Sequence, residues 1–482
     1  MARGREPEIE HLLRRAGFGA SDSEIGSYVE LGYFGAVDEL INYEQVVDDV
    51  DANIGKPGYA GITTRGQFAP STLIGDARQR WLFRMVHSTR PLQEKMALFW
   101  HNHFATAYSK VSGALGGNDG TRAMAAKPDE DPGRVRGQLE LLRQYALGNF
   151  RDLLIEITKD TAMLVWLDGR TNFRNRPQEN YARELMELFT MGVGVFTEPD
   201  VYAGARVFTG WNLARGAGDA FQRFNYNPNQ HDTAAKEFSF PVYPDGRRTI
   251  PARSAADGMQ DGIDLIDAVA RHPETGRRLA RKLWAFFVSE NAAPAEDFVN
   301  EISGEYYRNG YEMKPVIRRV LMSRHFRDST NYFARYSWPA EFVARAIKEV
   351  GWRGFSVNDA LNPMTNMGQQ LFEPPDVNGW DLGRGWYSTG AMLSRMNFAA
   401  QLATNQRFNL RDETRAYGQS PEALLSYLLD RLTPAAFERN GVVALLDYVR
   451  AGGSWSGSDQ QLLTKAPGLV HLIVGAGEYQ LV

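Results

Sequence analysis

Apolar positions recur at helical spacing along most of the chain. The stretch "EPEIEHLLRRAGFG" sets Ile9, Leu12 and Leu13 on one face and stops at Gly17, predicting a short amphipathic helix. "SDSEIGSYVELG" opens the next with Ser21 and, three residues on, Glu24, the pattern of a capping box. Residues 50–72, rich in Gly and Thr, read as a long loop. Helices are then expected at about 74–88, 91–104, 134–147, 149–159, 179–191 and 198–209. They resume at about 257–271, 274–289, 295–308, 313–323 and 338–350, and again near 389–403, 421–431, 434–450 and 458–466.

Two stretches break this pattern. Between 211 and 253, aromatics, Asn-Pro and Asp-Gly signals and short alternations point to an irregular excursion holding one hairpin, "FSFPVYPDGRRTIP", turned at Asp245-Gly246. A second loop-rich segment, "PPDVNGWDLGRGWYSTG", precedes the C-terminal helices. No fixed-period repeat or heptad run is found. The expected fold is mostly α: a large multi-helix domain with long irregular loops and a small β-hairpin insertion. Residues 1–403 would form the core, with the insertion at 211–253, and 404–482 a helical extension packed on it.

Composition narrows the field of functions. The 482 residues are 43% hydrophobic, 23% charged and 12% aromatic, as in a globular chain with a large core. A net charge of -4 lacks the basic footprint of a nucleic-acid binder. The absence of cysteine removes disulfides, thiolate metal sites and a cysteine nucleophile. No run approaches the ~18 apolar residues of a membrane span. With no apolar signal core behind "MARGREPEIEHLLRRAGFG", the expected compartment is the cytoplasm, or outside it if an N-terminal signal has been removed. A Rossmann glycine fingerprint, a Walker A loop and a Gly-x-Ser-x-Gly elbow are missing, which disfavours nucleotide-dependent and serine-hydrolase chemistry.

Four stretches carry candidate chemistry. In "LFWHNHFAT", His101 and His103 stand two residues apart. On a regular helix they diverge by about 200° and do not share a face, whereas a terminating turn or a strand would let both reach one ligand. The plainer reading is one buried, hydrogen-bonded imidazole and one solvated cap. In "PQENYARELMELFTMGVGVFTEPD", Asn180, Glu184, Glu187 and Met191 form one helical stripe, and Arg183 lies one turn before Glu187. Such carboxylates are either solvated and ion-paired or able to grip a cation or work as acid and base. "NQHDTAAKEF" pairs His231 with Asp232 on a loop, either a surface turn or spare functional groups. The Gly-Trp pairs Gly210-Trp211 and Gly379-Trp380, with Trp386 and Tyr387, suit a stacking platform or the packing of loops on a core.

Taken together, these pieces resemble the bacterial family called domain of unknown function 1800. The resemblance is carried by "HLLRRAGFGAS" (11–21), "RPLQEKMALFWHNHFAT" (90–106), "NFRDLLIEITKDTAMLVWLDG" (149–169), "PQENYARELMELFTMGVGVFTEPDV" (177–201) and "ARVFTGW" (205–211). It continues through "HDTAAKEF" (231–238), "LARKLWAFFV" (279–288), "WPAEFV" (338–343) and "GQQLFEPPDVNGWDLGRGWYSTGAMLSRMNFA" (368–399). The resemblance implies a helical fold without an assigned activity, and residues 404–482 match it more weakly. It also implies frequent export signals and a neighbouring protein of the domain of unknown function 1501 family as partner. His101, His103, Glu179, Asn180, Glu184, Glu187, His231 and Asp232 match its signature.

Two functions follow as expectations. The first is a metal-dependent hydrolase or non-haem oxygenase. His101, His103, His231 and Asp232 would hold Zn, Mn or Fe, with Glu184 and Glu187 catalytic and Asn180, Arg206, Trp211, Trp380 and Trp386 contacting substrate. A metal-free variant would set Glu184 and Glu187 on a glycan, although carboxylates three residues apart stand too close to flank a glycosidic bond. The second is a non-catalytic binding or scaffold protein. Its Glu184, Glu187, Arg206 and His103 would form a buried network, and its Trp-rich loops would hold a partner or a polysaccharide. Both require distant segments to meet at one polar pocket.

Overall fold

The computed structural model describes residues 6–215 and 219–482, and α-helices dominate them, with two small hairpins. Helices α1 (Pro7–Arg15) and α2 (Asp22–Ile41) open the chain. The expected capping box is formed: Ser21 Oγ accepts from the Glu24 amide, and the Glu24 carboxylate accepts from the Ser21 amide at 2.7 Å. After the loop come α3 (Ile74–His87) and α4 (Pro91–His103), the latter started by a proline that has no amide hydrogen to strand. Next are α5 (Tyr108–Leu115) and α6 (Gly117–Ala125), which fall between the expected helices at 91–104 and 134–147. A Cβ on Gly120 would lie 2.6 Å from Ser112 Cα, so that glycine serves the close approach of two helices.

Helices α7 (Gln138–Gln144), α8 (Phe150–Lys159), α9 (Thr161–Trp166), α10 (Asn180–Glu184) and α11 (Glu198–Val207) lead to the insertion. There β1 (Trp211–Arg215) pairs antiparallel with β2 (Gln222–Tyr226), a hairpin the alternation did not reveal. Residues 216–218 of the insertion lie outside the described residues. The expected hairpin at Asp245-Gly246 is present as β3 (Lys236–Glu237) against β4 (Thr249–Ile250).

The chain continues through α12 (Met259–Arg271), α13 (Pro273–Leu283), α14 (Glu296–Arg308), α15 (Met313–Met322), α16 (Arg324–Arg327), α17 (Pro339–Val350) and α18 (Asn358–Asn366). It ends with α19 (Thr389–Asn405), α20 (Arg407–Thr414), α21 (Pro421–Leu432), α22 (Arg439–Arg450) and α23 (Asp459–Gly475).

One continuous apolar core runs from Ile9 to Tyr479, so the C-terminal helices share it with the rest. Arg345 of α17 fastens them: its buried guanidinium donates to the carbonyls of Leu432 (3.1 Å), Thr433 (2.8 Å), Tyr479 (3.2 Å) and Leu481 (3.1 Å).

Two helices depart from the expected continuous turns. Leu185–Phe189, following α10, and Trp284–Val288, following α13, are π-helical. A π-turn widens the helix and redirects its last carbonyls, and such turns collect at functional sites. The second lends Phe286 to a cavity, and the first lends carbonyls to two residues that line it, His103 and Lys282.

Candidate functional site

The two histidines of α4 do diverge. His101 is packed among Trp81, Phe372 and Trp380, with ring centroids at 5.3, 5.8 and 5.5 Å. Burial alone pulls its pKa down to about 3, so the imidazole is neutral, and its Nε2 has no partner among the described residues. His103 faces another way. Its Nε2 stands 3.0 Å from the carbonyl of Phe189, at the end of the first π-turn. A carbonyl only accepts, so Nε2 carries the hydrogen and Nδ1 is left with a lone pair. That lone pair accepts from Lys282 Nζ at 2.9 Å. Burial first, and then Lys282 and Arg278, lower the His103 pKa well below the usual imidazole value.

Lys282 belongs to none of the four candidate stretches of the sequence. It lies in the last turn of α13, one turn after Arg278, and is half-buried. Among the described residues no carboxylate pairs with it; besides His103, its amine meets only the Leu188 carbonyl, at 3.5 Å. Burial, reinforced by the Arg278 charge, lowers its pKa to about 7, so a large share of the amine is uncharged near neutrality. The sequence held one sign of it, as Lys282 sits inside "LARKLWAFFV". A lysine between cationic and apolar neighbours nevertheless gives no notice of burial without its partners.

The amine opens on a cavity of about 120 Å³. Phe99, Asn102 and His103 supply one wall from the last turn of α4, and Phe286 of the second π-turn another. Trp338, just ahead of α17, and the segment Asn378–Leu382 complete it. The Gly-Trp pair explains how that segment closes: Gly379 has φ +84°, and a Cβ there would stand 2.6 Å from the Asn102 carbonyl oxygen. Glycine therefore lets the loop lie against α4, where the Trp380 amide donates to Asn102 Oδ1 at 2.7 Å.

Behind the cavity the aromatic wall rests on buried charge. Glu341 accepts a two-pronged pair from Arg335, at 2.8 and 2.9 Å, the Trp338 amide at 2.9 Å, and an ion pair from Lys95. Burial pushes the Glu341 carboxyl up, but Arg335 and Lys95 outweigh it and hold the pKa at about 2. Arg335 also lies over the Phe286 ring, 4.8 Å from its centroid.

The remaining candidates sit elsewhere. His231 is buried in the insertion, its Nδ1 2.8 Å from the Thr209 carbonyl and its Nε2 3.2 Å from Asp261. Asp261, which no sequence motif singled out, is the hub there: it also accepts from Lys236 at 2.5 Å and Arg253 at 3.0 Å. Asp232 instead holds Arg206, at 2.7 and 3.1 Å, and that contact keeps its carboxyl low against the opposing effect of burial. Asn180 is exposed and donates to Asp168 at 2.9 Å.

Glu184 and Glu187 are half-buried and make no hydrogen bond or ion pair with described residues. Burial first, then the charge of Glu187, raises the Glu184 pKa. The expected network of Glu184, Glu187, Arg206 and His103 is therefore not formed: Arg206 is held by Asp232, and His103 by the Phe189 carbonyl and Lys282.

The expected ligand set does not converge either. Among the described residues no group of three or more His, Asp and Glu side chains is placed to hold a metal ion. Trp211, Trp380 and Trp386 are 1%, 4% and 4% exposed, so none offers an open face to a polymer; each packs its loop onto the core. Among the described residues no helix is long and apolar enough to cross a membrane.

No curated protein and no solved structure matches the chain. A family description does match, over residues 11–481, and so includes the C-terminal helices on which the motifs are weak. By that match the chain belongs to the family described as "Protein of unknown function (DUF1800)".

Proposed function

We propose that the protein is an enzyme acting on a small molecule in the Lys282 cavity, with the uncharged Lys282 amine and the His103 imidazole as its reactive pair. The observation that carries this reading is the 2.9 Å contact of Lys282 with His103 at the wall of an aromatic cavity, with no carboxylate among the described residues to neutralise the amine. A buried lysine kept for packing alone is ordinarily paired, as Lys95 is with Glu341. An unpaired one is suited to accept a proton or to attack an electrophile, because its lone pair is free near neutral pH. His103 can take up a proton at Nδ1 while Phe189 holds the Nε2 hydrogen in place. The reading rests on amine rather than metal chemistry, since the histidines and carboxylates are dispersed to separate partners.

Competitive acetylation of the folded protein across pH, with peptide mapping by mass spectrometry, tests it. Lys282 should titrate near pH 7, and exposed lysines near their ordinary ~10.4. If Lys282 titrates with the others, the reading is wrong.

A further inference from the structure

The free hydrogen-bonding groups around the Lys282 cavity are almost all donors. The indole N–H groups of Trp338 and Trp380, both lining the cavity, are buried and have no acceptor among the described residues. A buried donor without an acceptor costs about 1–3 kcal/mol, so the two indoles add uncompensated positive N–H edges beside the cavity. Asn102 commits its carboxamide oxygen to the Trp380 amide, which leaves its NH2 group to donate. Lys282 adds an amine, and Arg278, one turn earlier, adds positive charge. The guest that satisfies this set is rich in acceptor oxygens and negatively charged.

Size restricts it further. The cavity of about 120 Å³ is smaller than the roughly 150 Å³ that admits benzene, so the guest has few heavy atoms. A small 2-oxo carboxylate suits this set: its carboxylate can accept from the Asn102 NH2 group while its ketone meets the Lys282 amine.

We propose that the cavity binds a small 2-oxo carboxylate and that Lys282 condenses with its ketone carbon to form a Schiff base. This rests on the reading of Lys282 as a reactive amine and adds to it the substrate class and the covalent step. The Lys282 nitrogen forms the C–N bond as the carbonyl π pair moves onto oxygen. One amine proton passes through His103 Nδ1 to that oxygen, the second follows, and the C–O bond breaks to release water. Amine and ketone thus give imine and water, with nothing oxidised or reduced.

The experiment is to incubate the whole protein with pyruvate and cyanoborohydride at pH 7, then digest it and locate the secondary amine by mass spectrometry. Hydride from the reagent fixes the imine in place. The expected adduct lies on Lys282, because its uncharged fraction at pH 7 exceeds that of an ordinary lysine by about a thousandfold. Lys282→Met should remove it, and the wild-type map identifies the site even if that variant fails to fold. If the acetylation profile shows Lys282 titrating near neutrality and yet no adduct forms there, the 2-oxo carboxylate is wrong while the reactive amine survives. If Lys282 titrates with the bulk lysines, both fall. An adduct spread evenly over surface lysines also overturns the proposal.

Discussion

Lys282 Nζ and His103 Nδ1 stand 2.9 Å apart although 179 residues separate them in the chain. The contact joins the C-terminal turns of α4 and α13, and the carbonyls that steady it come from a third element, the π-turn at Leu185–Phe189. Three helix ends, whose last carbonyls lack partners of their own, thereby build one polar point inside an aromatic wall.

The first prediction concerns stability against pH. Burial, helped by Arg278, lowers the Lys282 pKa from 10.5 to about 7. Between those values the unfolded chain holds a proton that the native one lacks, so this group makes stability rise with pH across the window. Below it, both states are charged and the native state bears the full desolvation cost. Lys282→Met should therefore raise the urea midpoint relative to wild type at about pH 6, and the gain should shrink steadily toward about pH 10. A pH-independent difference would contradict the lowered pKa.

Glu341→Gln should cost about 3–5 kcal/mol, because it strands Lys95 and Arg335 without their shared carboxylate. The Glu341 pKa is depressed from 4.5 to about 2, so its contribution is full above pH 4.5 and disappears as pH falls toward 2. Unfolding curves at neutral pH and through that acid window measure both effects. A loss below about 1 kcal/mol would mean that the cluster does not hold the cavity wall.

In the insertion, Asp261→Asn and Asp232→Asn should part company. Asp261 is fully buried and faces His231, Lys236 and Arg253, so its neutralisation should cost about 3–5 kcal/mol. Asp232 is half-buried beside Arg206 and should cost no more than about 1 kcal/mol. Equal losses would refute the assignment of Asp261 as the hub.

Glu187→Gln, which a buried scaffold network would make costly, should change stability by less than about 1 kcal/mol, since this half-buried carboxylate makes no direct ion pair among the described residues and reaches Arg278 and Arg183 only through longer-range charge. Glu184→Gln should stabilise slightly at neutral pH. Its folded pKa is raised, so the charge is disfavoured there, and the gain should vanish as acid protonates the wild-type residue. Thermal unfolding of the two variants at neutral and acid pH decides the matter.

Helix positions were legible wherever an apolar stripe bordered clear caps. The expected segments at 74–88, 91–104 and 295–308 differ from the observed helices by a residue or so at their ends. Helices α5 and α6 carried no such stripe and were not expected; Gly120 there serves the close approach of the two helices rather than a turn. The π-turns were hidden because their composition is that of ordinary helix, and only the register of hydrogen bonds distinguishes them. Of the site, His103 was visible as a rare residue in a tight pair. Lys282 and Trp338 were not, because common residues acquire meaning only from their neighbours.

Local pattern alone therefore determined the helical class, the hairpin at Asp245-Gly246 and the capping box at Ser21. Each follows from periodicity or turn chemistry within a few residues. The tertiary structure alone decided which polar groups are paired and which stand alone. Glu341, Asp261 and Asp232 found cations, whereas Lys282 found an imidazole and no acid. Pairing depends on how helix ends meet across more than a hundred residues, and desolvation, which sets the charge of each group, exists only once they have met.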